Sequence, residues 1–189
     1  FTNDIRDSLL NNEADLAVHS LKDLPIEDQK DTLIVSMLER ADSRDILFLK
    51  KDIFENYNNK ELRILTSSPR RVYNFSNFLE SLIPFNPSNI TFEDVRGNIP
   101  TRLEKLLNGD CQGLIVAKAA IDRLISYGNK DISAKIQSYL DDLLWMIIPL
   151  SLNPCAPGQG AIAIEVNSKR KDIIELVNKI NHNETFSQV

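Results

Sequence analysis

Apolar residues in this chain come in short blocks separated by polar, glycine- or proline-bearing turns, and the blocks alternate between two spacings. Ile5, Leu9 and Leu10 recur at helical intervals, which predicts a helix over 2–12 stopped by Asn11-Asn12. Continuous or alternating apolar runs predict strands over 15–20, 32–38, 45–49, 63–67, 90–95, 114–117, 143–148 and 161–166. Ser68-Pro69 suits a helix start with proline in the first turn. Its buried face would be Val72, Phe75, Phe78, Leu79 and Leu82, with Pro84 and Pro87 ending it. Further helices are predicted over 100–107, closed by Asn108-Gly109, over 119–126, and over 168–180 with a capped start. Strands alternating with helices predict α/β layering around a largely parallel sheet.

Composition narrows the picture only a little. A chain of 189 residues, 42% hydrophobic and 26% charged, is ordinary for a globular protein with a real core. No apolar run of about eighteen residues is present, so no membrane span is expected. No basic-then-apolar leader precedes the first helix, but the chain opens at Phe1, so the true start is expected upstream. Cys111 and Cys155 are too few for a disulfide framework, and His19 and His182 offer no metal-ligand spacing. A net charge of −5 argues against a nucleic-acid partner while leaving room for a locally basic cleft.

Candidate chemistry gathers where strands end. The run Ala17-Val18-His19-Ser20-Leu21-Lys22-Asp23-Leu24-Pro25 places a histidine, a hydroxyl, an ammonium and a carboxylate just after a strand, where α/β proteins carry ligand chemistry. His19 reads as a buried, hydrogen-bonded histidine rather than a proton shuttle. Thr66-Ser67-Ser68-Pro69-Arg70-Arg71 puts hydroxyls and guanidiniums at a helix N-terminus, where free N–H groups and the dipole favour anions. Arg96-Gly97-Asn98-Ile99-Pro100-Thr101-Arg102 repeats the design, with Asn98 as cap and two arginines able to grip a carboxylate. Ala156-Pro157-Gly158-Gln159-Gly160-Ala161 would let backbone approach a ligand, or simply mark an interdomain crossover. Singly, each segment is also what a polar turn or a capped helix with a solvated arginine pair looks like. Together they suggest a polyanion cleft containing Asp23, and the lack of a phosphate loop favours several carboxylates on one small molecule.

These four segments, in this order, resemble the motifs of the porphobilinogen deaminase (hydroxymethylbilane synthase) family, and Asn181-His182-Asn183-Glu184-Thr185 resembles its entry into a last domain. The resemblance implies a transferase of tetrapyrrole and haem biosynthesis that joins four porphobilinogen molecules, with loss of ammonia, onto a dipyrromethane cofactor to give hydroxymethylbilane. It implies Asp23 as the catalytic carboxylate, stabilising cationic intermediates through pyrrole N–H contacts. It implies cofactor binding by Ser20, Lys22, Thr66, Ser67, Ser68, Arg70, Arg71, Arg96, Asn98 and Arg102, and substrate binding by Arg96, Arg102, Arg123 and Gln159. No metal is implied. Leu65, Pro69, Lys118, Ala120 and Cys155 depart from the family pattern and would reshape the anion site.

The resemblance also implies a two-lobed α/β cleft of the type II periplasmic-binding-protein kind. Residues 1–38 and 150–181 would form an incomplete first lobe leading to an absent third domain, and 39–149 a complete second lobe. The family's cofactor-anchoring cysteine matches neither Cys111 nor Cys155, so the chain is expected to be a fragment, inactive alone, of a cytoplasmic monomer. That monomer would bind porphobilinogen, with no nucleic-acid or membrane partner. The competing expectation is a non-catalytic two-lobed module binding a polycarboxylate, and a weaker one is a phosphate or sulfate binder using the helix start at 67–71.

Overall fold

The computed structural model describes residues 2–25, 30–56 and 60–189. The chain divides into two units, Phe1–Ser43 with Ala156–Val189, and Arg44–Cys155. These boundaries fall a few residues beyond the 38/39 and 149/150 divisions read from sequence, and local bonding accounts for the shift. Ala41 N–H donates to Gly160 O (3.1 Å), and Arg40 donates to Gln159 O through Nε (3.0 Å) and to Thr185 Oγ1 through its backbone N–H (3.1 Å), so 39–43 stays with the first unit. Asn153 Nδ2 donates to Asp45 Oδ2 (2.8 Å), which holds the returning segment on the second.

The first unit contains α1 (Thr2–Leu10), β1 (Ala17–Ser20), a 3-10 turn (Leu21–Asp23) and β2 (Thr32–Met37). In the second lie β3 (Asp45–Lys50), α2 (Ile53–Asn56), β4 (Glu61–Leu65), α3 (Pro69–Leu82), β5 (Asn89–Glu93), α4 (Ile99–Asn108), β6 (Gly113–Ala117), α5 (Lys118–Tyr127), α6 (Lys130–Asp141) and β7 (Leu143–Ile147). The chain then returns to the first unit with β8 (Ile162–Asn167), α7 (Lys171–Asn178) and α8 (Asn183–Gln188).

The expected α/β layering is present, but the sheets are not largely parallel. In the first unit β8 lies between β1 and β2 and is antiparallel to both. The second unit has the order β5-β4-β6-β3-β7, in which only β4 pairs in parallel, with β5 and β6. β3 runs antiparallel to β6 and β7. It enters the sheet from the other unit rather than through a βαβ crossover, so the right-handed parallel rule does not govern its direction.

β3 shows why apolar runs were legible as strands. Every residue from Asp45 to Leu49 is buried, because alternate side chains serve opposite faces. Ile46 and Phe48 join Leu114, Val116, Leu103, Leu106 and Ile136 on one face, and Leu47 and Leu49 join Ile64, Ile115, Phe75 and Leu79 on the other. On α3, Phe75 and Leu79 are buried as expected, whereas Val72, Phe78 and Leu82 are half-buried at the rim. Three helices were not foreseen: α2, α6 and α8. The predicted start at Ser168 also moves to Lys171, because Asn167 turns the chain first, its Oδ1 accepting from Lys169 N–H (3.0 Å).

Candidate functional site

In the second unit, β4 and β5 run in parallel and each feeds a helix, so the starts of α3 and α4 lie at neighbouring strand ends. Thr66 N–H donates to Glu93 O (2.8 Å). Ser67 clamps the two exits together, its Oγ donating to Val95 O (2.7 Å) and accepting from Val95 N–H (2.9 Å). Ser68 caps α3, accepting from Arg71 N–H (3.4 Å), and Pro69 follows at the first turn. Asn98 caps α4 by accepting from Thr101 N–H (3.0 Å) and Thr101 Oγ1 (2.8 Å). Gly97, at φ +117°, makes the turn that a side chain would obstruct, since a Cβ there would lie 2.9 Å from Thr101 Cγ2. Thr66 is buried, whereas Asn98 is exposed.

Around these helix starts stand the cations. Arg96 is exposed, and Arg102 is half-buried with Nε donating to Gly97 O (2.7 Å). Burial pushes the Arg102 guanidinium below its ordinary value, and the nearby charges of Arg71 and then Arg96 push it further. Two further guanidiniums thus act on Arg102 in a chain whose net charge is −5. An anion arriving there relieves that repulsion while using the positive ends of two helices.

Arg70 and Arg71 are already engaged within the unit. Arg71 is 7% exposed and donates through Nη2 to Asp45 Oδ1 (2.8 Å) and through Nη1 to Ile115 O (3.4 Å). Arg70 donates through Nη2 to Asp45 Oδ2 (2.7 Å) and through Nη1 to Asn153 Oδ1 (3.0 Å) and Pro154 O (2.7 Å). Burial alone would raise the Asp45 carboxyl, but Arg71, Arg70 and Asn153 outweigh it and hold it down at about 2. Neither Asp45 nor Asn153 stood out in the sequence reading. The available signal was a carboxylate at the head of an otherwise apolar strand, Asp-Ile-Leu-Phe-Leu.

Arg123 on α5 is half-buried, and its guanidinium is lowered by burial. Lys118, one of the departures from the family pattern, pairs with Asp122 one turn along (2.5 Å). The cysteine thiols make poor anchors on chemical grounds in one case: burial and then the Glu93 carboxylate push Cys111 up to about 11, leaving little thiolate. Cys111 is buried and Cys155 half-buried.

The remaining sequence-selected residues lie in the first unit. Ser20 is half-buried at the end of β1, while Lys22 and Asp23 are exposed on the 3-10 turn that follows. His19 is buried as expected, with Nε2 2.9 Å from Glu165 Oε2. Glu165 is a third residue that the sequence reading passed over: Arg6 Nε and Thr32 Oγ1 donate to its Oε1, at 2.8 and 2.5 Å. Gln159 is buried, with Nε2 donating to Ser43 O (2.6 Å). The glycines around it bring backbone close to the chain itself: a Cβ on Gly158 would meet Leu21 at 2.8 Å, and one on Gly160 would meet Ala41 O at 2.5 Å.

Among the described residues, no group of three or more His, Cys, Asp or Glu is placed to hold a metal. No described helix is long and apolar enough to cross a membrane.

Comparison with known proteins puts a family to this arrangement. The family model described as "Porphobilinogen deaminase, dipyromethane cofactor binding domain" matches residues 1–175. Porphobilinogen deaminase from Syntrophomonas wolfei is 35% identical over 98% of this chain and 54% of that protein. A probable porphobilinogen deaminase from Picrophilus torridus is 36% identical over 100% of this chain and 58% of that protein. The chain thus spans about half the length of the curated relatives it matches. Among solved structures, an arginine 3rd transport system periplasmic binding protein from Legionella pneumophila aligns at 19% identity with a TM-score of 0.40, covering 98% of this chain and 72% of that one. Because that family model spans residues 1–175, the chain belongs to the porphobilinogen deaminase family, over the part described as its dipyrromethane cofactor binding domain.

Proposed function

We propose that the full-length gene product is a cytoplasmic hydroxymethylbilane synthase that joins four porphobilinogen molecules head to tail, with loss of ammonia, to give hydroxymethylbilane. The observation that carries this reading is the placement of the starts of α3 and α4, with Arg70 and Arg71 on one and Arg96 and Arg102 at the other, at neighbouring parallel strand ends in an acidic chain of this family. Porphobilinogen bears an acetate and a propionate, so the growing product accumulates carboxylates, and guanidiniums with helix-end N–H groups suit them. The dipyrromethane fits the same donor set. When bound, it supplies the pyrrole terminus to which porphobilinogen units are joined.

The chain's own residues divide the work by chemistry. Arg70, Arg96 and Arg102, with the hydroxyls and cap groups of Thr66, Ser67, Ser68 and Asn98, hold cofactor and substrate carboxylates. Ser20 and Lys22 add polar contacts, and Arg123 is a further carboxylate binder. Asp23 supplies the fixed carboxylate that stabilises positive charge on the pyrroles as it develops. The anchoring thiol is proposed to lie outside residues 1–189, in keeping with the raised Cys111 thiol. Gln159 contributes through the turn that it braces against Ser43.

The test is porphobilinogen consumption by the full-length gene product, with the product followed as porphyrin after cyclisation and oxidation. Asp23→Asn is expected to retain cofactor while lowering turnover by about a hundredfold or more, the usual cost of one preorganised electrostatic group. Near-normal turnover would remove Asp23 from the mechanism. No consumption by the unmodified protein would sink the whole reading.

A further inference from the structure

Asp45 is the first residue of β3 and is 0% exposed, yet its carboxylate accepts from side chains on two other segments. Oδ1 takes Arg71 Nη2 at 2.8 Å, and Oδ2 takes Arg70 Nη2 at 2.7 Å and Asn153 Nδ2 at 2.8 Å. Asn153 is also fully buried, and its Oδ1 accepts from Arg70 Nη1 (3.0 Å) and Asn74 Nδ2 (2.9 Å). The cluster therefore joins the start of β3, the first turns of α3 and the segment that leaves the second unit.

This placement solves an electrostatic problem. Adjacent arginines at the positive end of a helix repel each other and the dipole, so without an internal anion their long side chains would diverge into water. Asp45 gives each guanidinium its own oxygen. Two cations on one carboxylate leave about one unit of positive charge uncompensated, which is room for one ligand carboxylate. The two arginines also differ in freedom: the Arg71 side chain is 8% exposed and that of Arg70 24%.

We propose that Asp45 is a positioning residue for the anion site. It fixes Arg71 as a buried strut and, together with Asn153, aims Arg70 as the arm that turns to a ligand carboxylate. The proposal rests on reading the start of α3 as a carboxylate site, but its first test does not.

That test is residue-resolved modification of arginines by phenylglyoxal in the full chain, mapped by mass spectrometry, with citrate as the carboxylate probe. Asp45→Asn should raise the modification rates of Arg70 and Arg71 by at least about tenfold, the factor implied by losing one charge-assisted hydrogen bond. Arg63, paired with Glu93 at 3.3 Å, is the control and should not change. If Arg63 rises in parallel, the variant has loosened generally and Asn153→Ser decides. That milder change should expose Arg70 several-fold while leaving Arg71 protected. Unchanged rates in Asp45→Asn, or Arg70 and Arg71 moving equally or not at all in Asn153→Ser, would overturn the assignment. Citrate should slow modification of Arg70 in the unmodified chain. Its failure to do so would remove the carboxylate-site reading while leaving the positioning role standing.

Discussion

Replacing Glu165 with alanine removes the acceptor shared by Arg6 and Thr32, and the neighbour of His19 Nε2, in the interior of the first unit. Glu165 is 1% exposed, with Arg6 Nε at 2.8 Å, Thr32 Oγ1 at 2.5 Å and His19 Nε2 at 2.9 Å from its oxygens. The Thr32 hydroxyl is a neutral donor whose bond is worth about 1 kcal/mol. The Arg6 guanidinium dominates: its side chain is only 10% exposed, and a buried charge stripped of its partner costs about 3–5 kcal/mol. A loss of that size is a large share of the ~5–15 kcal/mol that holds a typical domain together. The assay is urea denaturation, with amide exchange across 162–167 reporting on β8. A second variant, Glu165→Leu with Arg6→Met, removes both charges and should recover most of the loss, because an apolar pair of similar volume carries no desolvation cost. A single variant that loses less than about 1 kcal/mol would refute the reasoning, as would a double variant no more stable than the single.

Other expectations follow from particular geometries. Because the Asp45 carboxyl is held at about 2 in the folded chain against an ordinary 3.8, its contribution is fully present above roughly pH 4 and is lost as pH falls toward 2. That contribution is about 2 kcal/mol, so the stability gap between the unmodified chain and Asp45→Asn should narrow by that amount across this window in urea titrations; a constant gap would contradict it. Asp172 is also lowered to about 2, mainly by Arg170, but on a solvated surface, and Asp172→Asn should show a much smaller acid effect. Arg102→Ala in the full-length product should weaken cofactor retention or chain elongation by roughly tenfold or more, the equivalent of one charge-assisted contact. Cofactor content can be read by mass and intermediates by native electrophoresis, and normal values in both would discount the residue. Gly160→Ala meets both an unfavourable φ of +89° and Ala41 O at 2.5 Å, so a loss of at least about 1–3 kcal/mol is expected by thermal unfolding.

Helix starts were the most legible part of the site. Ser68 and Asn98 cap the helices for which their sequence positions marked them, since capping involves residues only three apart. The strand blocks were legible for a similar reason, because alternation along β3 is a local property of the backbone. The unforeseen helices lacked such cues in different ways. In α6 only Ile136 is buried, so its apolar pattern is thin, and α8 is a six-residue helix begun by His182, whose Nδ1 accepts from Thr185 N–H (3.3 Å).

What local sequence determined was where helices begin, which positions are apolar on both faces, and where positive φ demands glycine. What only the tertiary structure decided was pairing at long range. Asp45 meets Arg70 and Arg71 from 25 and 26 residues away and Asn153 from 108, and Glu165 meets Arg6 from 159. The same holds for β3, whose antiparallel seat between β6 and β7 turned an expected parallel sheet into a mixed one. A buried carboxylate must find donors wherever the fold delivers them, because leaving it unpaired costs more than almost any local preference can offset.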